Sequence, residues 1–163
     1  MKNRLRFIFL IFCFVSFCVT SYAAKDPNNS LKSAPGFQLK GLDDKVVSSA
    51  DYFGKKPVIL VFWTTWCPYC RQQLSQLNER LAELTKKGIQ VLAINVGEPK
   101  SKVVNFVKSY SLNLQILLDE LSAVAETYEL MGVPTYFVID ISGKVAAAAN
   151  QFPEDAISKL DVK

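Results

Sequence analysis

One stretch of this sequence limits the fold more than any other: the apolar run Pro57-Val58-Ile59-Leu60-Val61-Phe62-Trp63, with Cys67-Pro68-Tyr69-Cys70 close behind it. A continuous run rich in β-branched and aromatic side chains describes a strand covered on both faces, which belongs in the middle of a sheet. From Pro68 to Lys87, Leu74, Leu77, Leu81 and Leu84 recur at spacings of three, four and three. That is one apolar stripe on a helix, with Gly88 as its stop.

The rest of the chain alternates in the same manner. Residues 89–96 read as a second buried strand, and Ser101 is expected to cap a helix that turns Val103, Phe106, Val107 and Tyr110 inward. Residues 115–118 form a short strand candidate, 122–130 a helix and 136–139 a strand; the turn at 141–144 then leads into 145–149 as a hairpin partner. Pro153 opens a last helix carrying Ala156, Ile157 and Leu160. Strands alternating with helices predict an α/β fold, a central sheet with helices on both faces. No internal repeat or low-complexity segment is present.

Composition narrows the chemistry. The chain has 163 residues, of which 50% are hydrophobic and 21% charged, the profile of one globular domain. It contains no histidine. That removes the usual zinc, copper and haem ligand sets and imidazole as a general base. Lys2, Arg4 and Arg6 precede an uncharged run that thins into Ser21, Ala23 and Ala24, the layout of a secretory leader cut after Ala23. The same run, at about 18 residues, also reaches the lower bound for an uncleaved membrane anchor. Lipid attachment at Cys18 is disfavoured by Phe17 before it. Cleavage would remove three basic and no acidic residues, taking the net charge from +4 to +1 and leaving 140 residues. A nucleic-acid partner therefore has no electrostatic support. Residues 24–33 read as a flexible polar terminus or tether, and 34–163 as the folded domain.

With Cys13 and Cys18 in the leader, Cys67 and Cys70 are the two cysteines of the mature chain. A CxxC pair in an exported protein is a structural bridge, half a metal site or a redox centre. Four-ligand zinc lacks a second pair, haem attachment would need histidine where Arg71 stands, and a bridge over so short a loop removes little unfolded-state entropy. Redox chemistry fits best, and it calls for no cofactor and no metal. The pair falls where a strand hands over to a helix. Cys67 sits at or near the N-cap, with Pro68 in the first turn, where its missing N–H costs nothing. Unpaired amides and the positive end of the helix dipole stabilise a thiolate, so Cys67 is expected to titrate below the free value of about 8.5 and act as nucleophile. Cys70, three residues on, would resolve the mixed disulfide. Trp66 and Tyr69 flank the sulfur and are expected to form an apolar contact surface for substrate, whereas Trp63 reads as core.

The segment Trp63-Thr64-Thr65-Trp66-Cys67-Pro68-Tyr69-Cys70-Arg71 resembles the active-site signature of the thioredoxin superfamily, and in particular its exported TlpA/ResA-like branch. Residues 34–39 are similar to the opening strand of that branch, 52–57 to its lead into the central strand, and 117–119 to its inserted strand. Gly132-Val133-Pro134-Thr135 is similar to its cis-proline loop. The resemblance covers roughly residues 34–159 and implies a thioredoxin-like fold with a mixed sheet. It also implies that Pro134 faces the CxxC and that the Val133 backbone pairs with an extended substrate. The implied activity is thiol-disulfide exchange by a monomer, with recharging by a membrane-embedded thiol donor. Exported or periplasmic proteins such as apocytochrome c would be the substrates.

Several positions depart from the family pattern. Val61 stands where thioredoxin carries a buried carboxylate, Pro68-Tyr69 replaces the Glu-containing dipeptide of several relatives, and Gln73 and Ser75 replace a Glu and a Pro. The acceptor of the Cys70 proton is thus open between water and a carboxylate such as Glu126. The potential is open across about −270 to −120 mV. Two other functions compete: a peroxide reductase of the peroxiredoxin type, suggested by Thr64 with Cys67-Pro68, and a non-enzymatic binding module braced by the disulfide.

Overall fold

A computed structural model describes residues 32–160. The leader at 1–23, Cys13 and Cys18, and all but the last two residues of the expected tether lie outside them. Among these residues seven strands, the first two being β1 (Gln38–Gly41) and β2 (Val46–Ser48), form one mixed sheet in the order β2-β1-β5-β4-β3-β6-β7. β3 (Val58–Trp63) lies between β4 (Gln90–Val96), parallel to it, and β6 (Thr135–Ile139), antiparallel to it. All six residues of β3 are fully buried, which accounts for a run that never alternates. β5 (Gln115–Asp119) runs parallel to β4, and β7 (Val145–Ala149) closes one edge as the expected hairpin.

Side chains alternate across β3, so each face has its own core. Ile59, Val61 and Trp63 meet Leu74, Leu77 and Leu84 of α1 (Pro68–Lys86), Val103 of α2 (Lys100–Ser109) and Ile157 of α4 (Glu154–Ser158). On the opposite face Val58, Leu60 and Phe62 meet Val124 of α3 (Ala123–Thr127), with Tyr128 just beyond it. Helices therefore cover both faces, as expected. α1 ends where Gly88 takes φ +74°, a conformation that only glycine adopts without strain, and its N–H bonds back to the Thr85 carbonyl at 2.9 Å.

Four local expectations are corrected. Ser101 is not a cap, because α2 starts at Lys100, with Pro99 in the cap position two residues before Ser101, and its first amide, Lys100 N–H, donates to the Glu120 carboxylate at 3.1 Å. Tyr110 does not turn inward: it is exposed at the end of α2, stacked on Phe106 and under the Arg71 guanidinium. The helix expected over 122–130 is only Ala123–Thr127, because Ser122 and Glu129 both have positive φ and break the helical path. The opening strand is Gln38–Gly41 rather than 34–39, and it pairs with a strand the sequence had not revealed, β2 (Val46–Ser48). At the start of the described chain, Ser33 bridges to Lys144 in the β6–β7 turn, and the Val145 N–H donates to the Lys32 carbonyl at 2.9 Å. Among the described residues no helix is long and apolar enough to cross a membrane.

Candidate active site

Topology brings three loops to one end of the sheet. β3 and β4 are parallel, so the loops that leave them lie side by side, and β6 is antiparallel to β3, so the loop that enters it arrives at the same place. Thr135 pairs with Phe62 at that end. The β3–α1 loop carries Cys67, the β4–α2 loop carries Glu98, and the loop before β6 carries Val133 and Pro134.

Cys67 is the N-cap of α1, with extended backbone, and Pro68 is the first helical residue. The Cys67 sulfur accepts the Cys70 N–H at 3.1 Å, so one of the helix's unpaired amides already points at it. A sulfur in this position is placed where amides and dipole favour a negative charge. Cys67 and Cys70 are joined as a disulfide, with Cα atoms 5.2 Å apart. The two sulfurs are not equivalent: Cys67 retains 6% exposure at the surface, whereas Cys70 is fully buried.

Across from them the Val133-Pro134 peptide bond is cis, and the Val133 carbonyl oxygen lies 3.7 Å from the Cys67 sulfur. Thr135 Oγ1 donates to the Gly132 carbonyl at 2.8 Å, and the Asn150 amide donates to the Pro134 carbonyl at 3.3 Å, fixing this loop from both sides. Trp66 is 66% exposed and Tyr69 is exposed, whereas Trp63 is fully buried against Phe106. Trp66, Val133, Leu130, Met131 and Glu126 line a groove of about 720 Å³ beside the cysteines, and Thr64 contributes a buried hydroxyl. The structure thus gathers Cys67, Cys70, Trp66, Pro68, Tyr69, Val133 and Pro134 at one end. Glu126 belongs to the groove wall; among the described residues no hydrogen bond joins it to Cys70.

Two anchors escaped sequence reasoning. Glu98 is buried, and its carboxylate accepts the Thr65 N–H at 2.6 Å, the Thr65 hydroxyl at 2.7 Å and the Asn95 amide at 2.8 Å, while Lys102 Nζ lies 2.7 Å away. Burial opposes its charge, but the hydrogen bonds from Lys102, Thr65 and Asn95 outweigh it and hold the carboxyl below its ordinary range. The available signal was positional: an acidic residue just after a strand parallel to β3 must lie beside the CxxC loop. On the other flank Gln73, noted in the sequence only as a departure, is buried one turn past Cys70. Its carbonyl accepts the Tyr136 hydroxyl at 3.3 Å and the Phe152 N–H at 3.0 Å. Burial, together with the nearby Tyr69, pushes the Tyr136 phenol well above its usual value, so it stays a neutral donor. Val61, fully buried in apolar surroundings, puts no charge under the pair.

The profile described as the AhpC/TSA family matches residues 31–148. The chain belongs to that family. The thiol-disulfide oxidoreductase ResA of Bacillus cereus is 34% identical over 150 residues, spanning 88% of this chain and 86% of that protein. ResA of Bacillus subtilis is 31% identical over 144 residues, spanning 87% and 80%. Among solved structures, a thiol:disulfide interchange protein of the thioredoxin family from Chlorobium tepidum superposes with a TM-score of 0.64 at 31% identity, covering 73% of this chain and 85% of that one. The thioredoxin-like fold expected from the resemblance is present, and the chain is a thiol-disulfide oxidoreductase.

Proposed function

We propose that this oxidoreductase is an exported reductase of protein disulfides in which Cys67 attacks and Cys70 resolves. The observation that carries the reading is the asymmetry of the pair: Cys67, slightly exposed at 6% and capping a helix N-terminus beside the loop at Val133, and Cys70, fully buried behind it. Reduced Cys67 thiolate attacks one sulfur of a substrate disulfide and displaces the other as a thiolate. Cys70, deprotonated, then attacks the Cys67 sulfur of the mixed disulfide and releases the second substrate thiolate. Two electrons pass to the substrate, which takes up two protons, and the enzyme ends as the Cys67–Cys70 disulfide. Trp66, Pro68, Tyr69, Val133 and Pro134 form the contact surface for the substrate segment.

The leader pattern at 1–23, cleaved or kept as an anchor in the inner membrane, supports a periplasmic or other extracytoplasmic site of action, with 24–33 as tether and 34–163 as a monomeric domain. The sequence resemblance supports exported substrates such as apocytochrome c and a membrane-embedded thiol donor that re-reduces the pair. Purified protein should accelerate insulin reduction by dithiothreitol, and Cys70→Ala should accumulate mixed disulfides through Cys67 that mass spectrometry can identify. Absence of both would overturn the reading, and peroxide turnover that survives in Cys70→Ala would replace it with a peroxidase. The reduced protein should also show a thiolate absorbance midpoint below about 8.5 that disappears in Cys67→Ala; a midpoint at or above that value would remove the dipole argument.

A further inference from the structure

Resting on that reading, we infer that the groove beside Cys67 selects substrate segments carrying a lysine or arginine near the reacting cysteine, with Glu126 as the reading residue and the Thr64 hydroxyl bonding the segment's main chain.

Two independent observations meet in this groove. The first is charge. Between Lys108 and Lys144 the chain carries Asp119, Glu120, Glu126, Glu129 and Asp140 and no basic residue, and this stretch builds the wall of the groove through Ser122, Ala125, Glu126 and Leu130–Val133. Asp119 and Asp140 are occupied by backbone amides of their own turns, and Glu120 accepts the Lys100 N–H. Glu126 is exposed, lines the groove itself, and makes no salt bridge among the described residues. Among the described residues no lysine or arginine lines the groove. A cationic side chain would meet an unopposed carboxylate, and an anionic one would meet the uncompensated wall.

The second observation is an unused hydrogen-bonding group. Thr64 lines this groove and is only 4% exposed, yet among the described residues its Oγ1 has no hydrogen-bond partner. Leaving a buried hydroxyl unpaired costs stability, so its presence three residues before Cys67 calls for a partner that arrives with substrate. The same groove is lined by Trp66, 66% exposed, and Met131, 99% exposed, apolar surface against which the aliphatic stem of a lysine or arginine can lie while its charged head reaches Glu126. The volume of about 720 Å³ accommodates an extended segment of a few residues rather than a single side chain.

The test uses three disulfide-bonded peptides, identical except for Lys, Gln or Glu at positions flanking the cysteine, together with bis(2-hydroxyethyl) disulfide as a small neutral substrate. Wild-type protein should reduce the Lys peptide with kcat/KM about 3-fold above Gln and about 10-fold above Glu, and added salt should compress the ratio. Glu126→Lys should reverse the order of the Lys and Glu peptides. Because each ratio is taken within one protein, a partly unfolded variant does not alter it. Thr64→Val should raise KM several-fold for all three peptides while raising Tm, since it removes an unpaired buried hydroxyl; a purely structural Thr64 would leave KM unmoved. Equal rates on all three peptides, or the same order in Glu126→Lys as in wild type, would overturn the inference while leaving disulfide reduction intact. Failure on the peptides and the small disulfide alike would overturn the underlying reading instead.

Discussion

On one flank of the dithiol, Glu98 holds the loop residue Thr65 through a buried carboxylate with donors on Thr65, Asn95 and Lys102. On the other, Gln73 holds the segment at Phe152 and the ring of Tyr136 through a neutral amide. Both anchors are buried and both tie distant parts of the chain to the site, Gln73 from three residues beyond Cys70 and Glu98 by holding the loop two residues before Cys67. They differ in charge. The Glu98 flank depends on an ionised group and is sensitive to acid, whereas the Gln73 flank has the same hydrogen bonds at any pH that leaves Tyr136 neutral. A site can therefore be held by buried hydrogen bonds on both sides and still have one side that loosens first.

The largest expected effect comes from breaking the charged side. Glu98→Ala strands the Thr65 N–H and the Asn95 amide in a dry corner and should cost about 2–3 kcal/mol in denaturant unfolding, whereas Gln73→Ala should cost about 1–2 kcal/mol. Equal losses would dissolve the distinction. The pH dependence sharpens it. The folded-state carboxyl of Glu98 titrates below its unfolded value of about 4.3. Its contribution is thus fully present above that value and fades as pH falls through the folded one. Urea midpoints between pH 7 and pH 3 should drop less steeply in Glu98→Gln than in wild type. Gln73→Glu should give the opposite sign: a carboxyl buried without a cation has a raised folded pKa, so stability would be lost as pH rises from the unfolded value of about 4.3 towards the folded one. The smallest effect concerns the strap beyond Phe152. The Arg80 guanidinium grips the Glu154 carboxylate and lies over the Phe152 ring at 4.5 Å, but Glu154 is largely exposed, so Arg80→Ala should shift stability by less than about 1 kcal/mol.

The contrast also explains what the sequence disclosed. Val58–Trp63 and the leucines of α1 were legible because burial on both faces and a helical stripe are local patterns, and the Cys67 N-cap followed from their junction. Trp66 and Tyr69 were legible as surface because they interrupt no stripe. Glu98 was not, since its role depends on β4 lying parallel to β3, a pairing 32 residues distant in sequence for Val61 and Ala93 and invisible to any local period. The cap of α2 was misread for the same reason: its partner, Glu120, comes from a later loop. β2 escaped because a run of only three residues at a sheet edge, Val46, Val47 and Ser48, is too short to carry a pattern.

One feature at the far end of the sheet bears on how the molecule is oriented. Ser33 joins the turn after β6, and β6 begins beside the dithiol at Thr135 and runs away from it. Six residues of β3 span about 20 Å, so the described chain begins at the pole opposite Cys67. A molecule tethered through its first residues would present its reactive end outward, away from its own mooring.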